Sequence, residues 1–295
     1  MLFLVNDSVY FEIVIRALSE SLTVLDFPHR IVNAPDLNDT KNVYLLCTVH
    51  EGKSLPKNYI AYQFEQLCSD KIWPEEFWNR LRKARAVWDY SALNVRELQR
   101  RGILVLHVPL GYSKCMQCPN VYSNDNNKKY DFVFLGAMNE SRVQKFTPLY
   151  KVYRSKPEKV FINNSVWGDD IYKLYKCSKI GINMHFYGGK QILEVHRIIP
   201  MIANRLWVIS EHGDDPWYED TFKDLVTWYT NPVDLARKGL QVLLQDPVKF
   251  ENEIEKRYTH LVKNCSMLGY ISRPDVLESL KNTLPCLTVG TTVIA

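Results

Sequence analysis

The chain alternates short apolar runs with amphipathic stretches, and it does so twice, on either side of an asparagine-rich break. No other feature restricts its fold as strongly. Short apolar strands joined by helices build parallel sheets covered by helices on both faces. Before the break, strands are expected at residues 2–5, 42–48, 59–63, 86–90 and 103–108. Between the first two, Phe11, Val14, Ile15, Leu18 and Leu22 recur at helical spacing. Pro74 is expected at the first position of a second helix, and Ser91 caps a third that Gly102 ends. After the break, strands are expected at 130–135, 159–162, 180–184, 206–210 and 225–229, with helices at about 141–153 and 190–203. Asn231-Pro232 and Asp246-Pro247 pair a cap with a first-turn proline, and Pro274 starts a last helix.

The expected architecture is therefore α/β, with two Rossmann-like, doubly wound parallel-sheet domains facing a cleft. Residues 1–111 form the first unit, 112–129 a polar hinge, 130–272 the second unit, and 273–295 a helix and tail. The tail is either a strand returning to the first unit or a loose end. A length of 295 residues accommodates two such domains. Open α/β sheets bind ligands at the carboxyl ends of their strands, so each wall of the cleft can hold a different substrate.

Composition excludes several classes. Hydrophobic residues make up 46% and charged residues 24%, which rules out disorder and coiled coil as global descriptions. The net charge of +4 is too small and too mixed to indicate nucleic-acid binding, and the basic run from Arg80 to Arg85 reads as the solvated face of a helix. No apolar run approaches the roughly 20 residues of a membrane helix. The N-terminus reads as a first strand and not as a signal peptide. Seven cysteines, scattered and odd in number, suit reduced thiols in a cytoplasmic protein. Cys115 and Cys118 have zinc spacing, but no second Cys/His pair lies near them in sequence.

Two segments carry candidate chemistry. In residues 180–211, a strand ends near His185, and Tyr187-Gly188-Gly189-Lys190 precedes a helix bearing Glu194 and Arg197. Glycines allow close backbone approach, and a helix N-terminus with a lysine suits an anionic group such as a diphosphate. Glu194 and Arg197, three apart, share a helix face. In residues 132–145, Gly136 ends a strand, and Arg142 and Lys145 lie in the first turns of the next helix. Arginine offers a planar fork for phosphate oxygens. From spacing alone, glycine turns and solvated surface charges explain both segments equally well. For acid–base chemistry, Asp7, Glu65 and His107 stand at strand ends as candidates, and His185 is a further catalytic candidate beside the glycine pair.

The stretches YDFVFLGAMNESR and INMHFYGGKQILEVHRIIPMIANRLWVISE resemble the donor domain of GT-B glycosyltransferases of the glycosyltransferase-group-1 kind, found in bacteria and large viruses. YIAYQFEQL, AVWDYSALN and HVPLGY are similar to that group's acceptor domain. The resemblance implies hexosyl or deoxyhexosyl transfer from a nucleotide-sugar to a glycan, lipid-linked or protein-linked acceptor. It implies no cofactor and no metal, no nucleic-acid partner, and leaves peripheral membrane association open. By that carry-over, Gly136, Arg142 and Lys145 hold the diphosphate, and Glu194 holds ribose or sugar hydroxyls. Asn139, Asn183, Tyr187, Gly188, Gly189, Lys190 and Arg197 complete the donor side. The group's paired glutamates are represented here by Glu194 alone, so an inactive sugar- or nucleotide-binding scaffold is the alternative expectation.

Overall fold

The computed structural model describes residues 1–119 and 128–284. The expected tail beyond 284, and residues 120–127 of the expected hinge, lie outside the described residues. Two all-parallel sheets organise the chain. The first contains β1 (Leu2–Val5), β2 (His29–Val32), β3 (Val43–Leu46), β4 (Tyr59–Gln63), β5 (Ala86–Asp89) and β6 (Leu106–His107), in the order β2-β1-β3-β4-β5-β6. The second contains β7 (Tyr130–Leu135), β8 (Val160–Asn163), β9 (Ser178–Asn183), β10 (Trp207–Glu211) and β11 (Thr227–Tyr229), in the order β11-β10-β9-β7-β8. Every residue of β3 and β4 is buried, as expected for central strands covered on both faces.

The first half is wrapped by α1 (Glu12–Val24), α2 (Glu75–Lys83) and α3 (Ala92–Arg100). Pro74 occupies the N-cap of α2 with extended backbone, one position earlier than expected. Ser91 caps α3 by accepting from the Leu93 and Asn94 N–H groups, and Gly102 follows it with a φ of 70°. The second half carries α4 (Glu140–Val152), α5 (Asp169–Lys176), α6 (Val195–Ala203), α7 (Pro216–Phe222), α8 (Pro232–Leu243) and α9 (Pro247–Asn264). Asn139, Asp215, Asn231 and Asp246 each cap a helix N-terminus with a side-chain oxygen.

The chain then returns. After Cys265, α10 (Met267–Ile271) packs on α1. In α11 (Pro274–Thr283), Ser279 Oγ accepts from Trp88 Nε1 at 3.1 Å, and the Thr283 carbonyl accepts from Arg85 at 3.1 Å. The return thus begins at about Met267, inside the stretch assigned to the second unit from sequence. The first residues of the expected polar hinge are tied down from both halves. Tyr112 N donates to Cys265 O at 2.7 Å, and Met267 N donates to Tyr112 O at 2.8 Å. Glu20 of α1 accepts from Ser113 Oγ and from Cys115 N, while Asn204 accepts from Cys118 N. Met116 is fully buried. This segment lacks apolar periodicity because polar side chains, and not a helix face, hold it.

In each sheet the strand order reverses direction, beside β1 in the first and beside β7 in the second. Loops on either side of such a point diverge and leave a crevice at the carboxyl end. Among the described residues, no helix is long and apolar enough to cross a membrane.

Candidate active site

The two crevices share one cavity of about 480 Å³, within the range of small-molecule sites. The loops after β1, β3, β4 and β5 line one wall; those after β7, β8 and β9, with the start of α6, line the other.

The second-half wall rests on a polar floor. Asn183, fully buried at the end of β9, donates through Nδ2 to Glu194 Oε2 at 3.0 Å and to Ser210 Oγ at 2.9 Å. Its Oδ1 accepts from Arg197 Nη1 at 2.7 Å. His185 Nδ1 lies 3.2 Å from Glu194 Oε2, and its Nε2 lies 2.8 Å from the His212 carbonyl. Both ring nitrogens face acceptors, and only an imidazolium donates from both. Burial opposes this charge, but Glu194, the His212 carbonyl and Glu211 together raise His185 above the ordinary histidine range. Burial would raise Glu194 as well. The His185 charge and hydrogen bond, the Arg197 charge and the Asn183 amide outweigh it and hold the carboxyl far below the usual carboxylate range. The floor is therefore a buried ion pair that orients Arg197 through Asn183. His196, next to it, is exposed and also lines the cavity.

Arg142 is 2% exposed and reaches the cavity wall. Its guanidinium donates to the carbonyls of His185 at 3.2 Å, Ala137 at 2.6 Å and Met184. The Phe134 and Phe186 rings each lie 5.1 Å from it. Burial, then the neighbouring Arg197 charge, lowers it to about 10. Three of its five N–H groups are committed to the backbone, so it joins the end of β9 to the loop after β7. Gly136 lines the cavity between the two arginines; a Cβ there would stand 3.0 Å from Arg197 Nη2. Lys145 is drawn away into an ion pair with Glu211 at 2.6 Å. Asn139 caps α4 and donates to the Phe186 carbonyl at 2.9 Å.

The glycine pair has a different place from the one expected. The helix begins at Val195, not at Lys190, and Glu194 occupies its N-cap. Backbone groups of residues 191–192 are already engaged: Gln191 with Asp214 at 2.7 Å in both directions, Ile192 with the Gln66 amide at 3.1 and 3.3 Å. These bonds compete with helical ones and keep the segment outside the helix. Gly188 and Gly189 lie against the first half instead. Asp70 N donates to the Gly188 carbonyl at 3.2 Å, and Ser69 and Gly189 form an antiparallel bridge. A Cβ at Gly189 would stand 2.8 Å from Asp70 N, at a φ of 72°. Lys190 is exposed and does not line the cavity; Tyr187 does. Gly189→Ala is expected to cost about 1–3 kcal/mol, read as a lower urea midpoint with an unchanged m-value.

The base candidates separate in the same way. Glu65 lines the cavity, whereas His107 sits edge-on to Trp217 with centroids 4.9 Å apart and does not line it. Asp7 accepts from Thr48 Oγ1 and pairs with Lys53 at 3.1 Å outside this cavity. His185 is held in the floor. Residues that sequence reasoning passed over include His50, which follows β3, and Tyr10 and Trp167, whose rings meet across the halves at 4.9 Å. An isolated histidine after an apolar strand carries no pattern of its own. At Cys115, burial and Glu20 push the thiol up to about 12, and among the described residues no group of three or more His, Cys, Asp or Glu could hold a metal ion.

No family model and no curated protein matches this sequence. Its structure does match solved ones. AviGT4, a glycosyltransferase involved in avilamycin A biosynthesis, aligns with a TM-score of 0.62 over 97% of this chain and 98% of its own, at 11% identity. WaaG, a glycosyltransferase involved in lipopolysaccharide biosynthesis, aligns at 0.54 over 91% and 97%, at 10% identity. TarM aligns at 0.55 with 12% identity over 83% of this chain, which spans 55% of the TarM chain. With two parallel-sheet units of six and five strands opening onto a common cavity, the chain has the GT-B glycosyltransferase fold.

Proposed function

We propose that the protein is a glycosyltransferase that moves a hexosyl or deoxyhexosyl group from a nucleotide-sugar to a hydroxyl of a glycan, lipid-linked or protein-linked acceptor, without a metal. The observation that carries this reading is Arg197, oriented by the buried Asn183–Glu194–His185 floor and reaching a cavity shared by both halves. Glycosyl transfer develops negative charge on a leaving diphosphate, and a fixed cation stabilises that charge without reorganising during reaction. Arg197 is such a cation, and Arg142, pinned beside it, adds to the positive potential. A Cβ at Gly136 would crowd the Arg197 guanidinium and the Phe134 ring, so the glycine lets that cation sit close to the strand end.

UDP, GDP or dTDP is expected to raise the melting temperature, and Arg197→Ala to weaken that nucleotide about 10- to 100-fold, as for loss of a charged hydrogen bond. Absence of a shift with every nucleotide and nucleotide-sugar in the panel would reject the reading.

A further inference from the structure

We infer that a second cavity, beside the main one on the first half, holds a neutral sugar unit of the acceptor, so that the acceptor presents at least two sugar units. This rests on the glycosyl-transfer reading above and names its acceptor class. The second cavity, of about 330 Å³, is lined by Asn6, Asp7, Ser8, Val9, Glu12 and Asn33. Val9 and Glu12 also line the main cavity, so the two adjoin there. β1 and β2 run parallel with Val5 opposite Val32, which makes Asn6 and Asn33 the first residues past the two strand ends. Asn6 N donates to the Val32 carbonyl at 2.8 Å and fixes that neighbourhood. Asp7 is held from the other side, where Thr48 Oγ1 donates to its two oxygens at 3.0 and 2.9 Å. Among the described residues, the Asn6 and Asn33 side-chain amides have no partner within the chain.

The lining chemistry selects the ligand. An amide offers donors and an acceptor together, and carboxylates and the Ser8 hydroxyl accept from hydroxyl groups. Sugar hydroxyls donate and accept in the same way, so the mixed set matches a polyhydroxylated ring. Asp7 and Glu12 bring two carboxylates, and no lining residue is a cation; Lys53, which pairs with Asp7 at 3.1 Å, does not line the cavity. A phosphate or a uronate at this position would therefore meet like charge, which opposes binding. A lipid chain would find only Val9 as apolar surface. The main cavity differs in kind, with Arg142 and Arg197 on its second-half wall. The anionic donor and the neutral acceptor are thus sorted to opposite ends of one continuous lining.

The reacting sugar of the acceptor lies in the main cavity and the next sugar in the second. Contacts to that second unit are the same before and during transfer. They lower KM and leave kcat alone.

The test measures glycoside formation from UDP-, GDP- and dTDP-sugars. The acceptors are methyl glycosides of glucose, galactose and mannose, and di- and trisaccharides built from the same sugars. For the wild type, the second sugar should raise kcat/KM about 10- to 100-fold, the worth of a few neutral hydrogen bonds, and through KM. A disaccharide whose second unit is a uronic acid should show no such gain. Asn6→Ala combined with Asn33→Ala should cut the ratio of oligosaccharide to methyl glycoside kcat/KM about 10-fold, again through KM. Asn33→Trp, a bulky side chain at an exposed position, should bring that ratio close to one. An unchanged nucleotide-induced melting shift shows that these variants are folded with the donor side intact. If methyl glycosides and oligosaccharides are used equally, or if the variants leave the ratio unaltered, the second cavity is not an acceptor site, although the chain is still a transferase. If the wild type transfers no sugar from any donor, the acceptor site and the glycosyl-transfer reading fail together.

Discussion

Glu194→Ala is expected to lower folding stability by about 3–5 kcal/mol, the cost of removing one partner from a buried ion pair. His185 would be left 5% exposed with only the weaker influence of Glu211 as counter-charge, and Asn183 would lose one of the acceptors that fix it beneath Arg197. Glu194→Gln keeps the volume and one acceptor, so its cost should be smaller. The pH dependence identifies the pair. Glu194 is depressed, so its contribution is present above the unfolded carboxyl value near 4.3 and is lost as pH falls through the folded value. His185 is raised, so its contribution is present below about 6.5 and is lost as pH rises through its folded value. The gap in urea stability between wild type and Glu194→Gln should therefore be widest at about pH 4.5–6.5 and narrow in alkali. A gap that widens above pH 8 would refute the ion pair.

Asp215→Ala is expected to cost about 2–4 kcal/mol for a different reason. Asp215 is 1% exposed and caps α7 through the Trp217 N–H at 3.0 Å. Its other oxygen accepts from Ser91 Oγ and, at 3.1 Å, from Leu93 N at the start of α3. One carboxylate therefore serves helix starts in both halves. Its removal takes away a cap worth about 1 kcal/mol and leaves buried donors unpaired at about 1–3 kcal/mol each. The urea midpoint should fall well below that of Asp246→Ala, which caps the exposed start of α9 alone. Asp215 does not line the cavity, so the nucleotide-induced melting shift should be retained. Equal midpoints for the two variants would contradict this account.

The elements readable from sequence were those whose own residues satisfy them. Central strands such as 59–63 are continuous apolar runs, and helices behind Ser91, Asn231 and Asp246 carry their caps with them. β2 was not anticipated because it is an edge strand whose sequence, His-Arg-Ile-Val, shows no buried face. The short helices α7 and α10 span 7 and 5 residues, too few to display a period. The start of α6 was misplaced because Gln66 and Asp214, distant in sequence, hold the backbone ahead of it. The site divides along the same line. Gly136, Glu194 and Arg197 follow strand ends in recognisable patterns and meet at the cavity. His50 acquires its partner Glu65 only when β3 and β4 pair side by side. The Gly188-Gly189 pair suggested a phosphate cradle from local geometry, yet its environment is set by Asp70 on the other half.

The chain crosses between its halves at Gly111–Tyr112 and returns at Cys265–Met267, and the two crossings are hydrogen-bonded neighbours. Gly111 is as tightly engaged as this implies: a Cβ there would stand 2.5 Å from Met267 N. A single connecting strand would leave the halves free to swivel in any direction. Two adjacent strands, braced against each other, leave one easy rotation, about an axis running through both. The bridge between Ser69 and Gly189 then acts as a clasp at a distance from that axis. Gln66 with Ile192, and Asp215 with Ser91 and Leu93, fasten the halves at further points, so the two walls of the cavity are joined well away from the crossings.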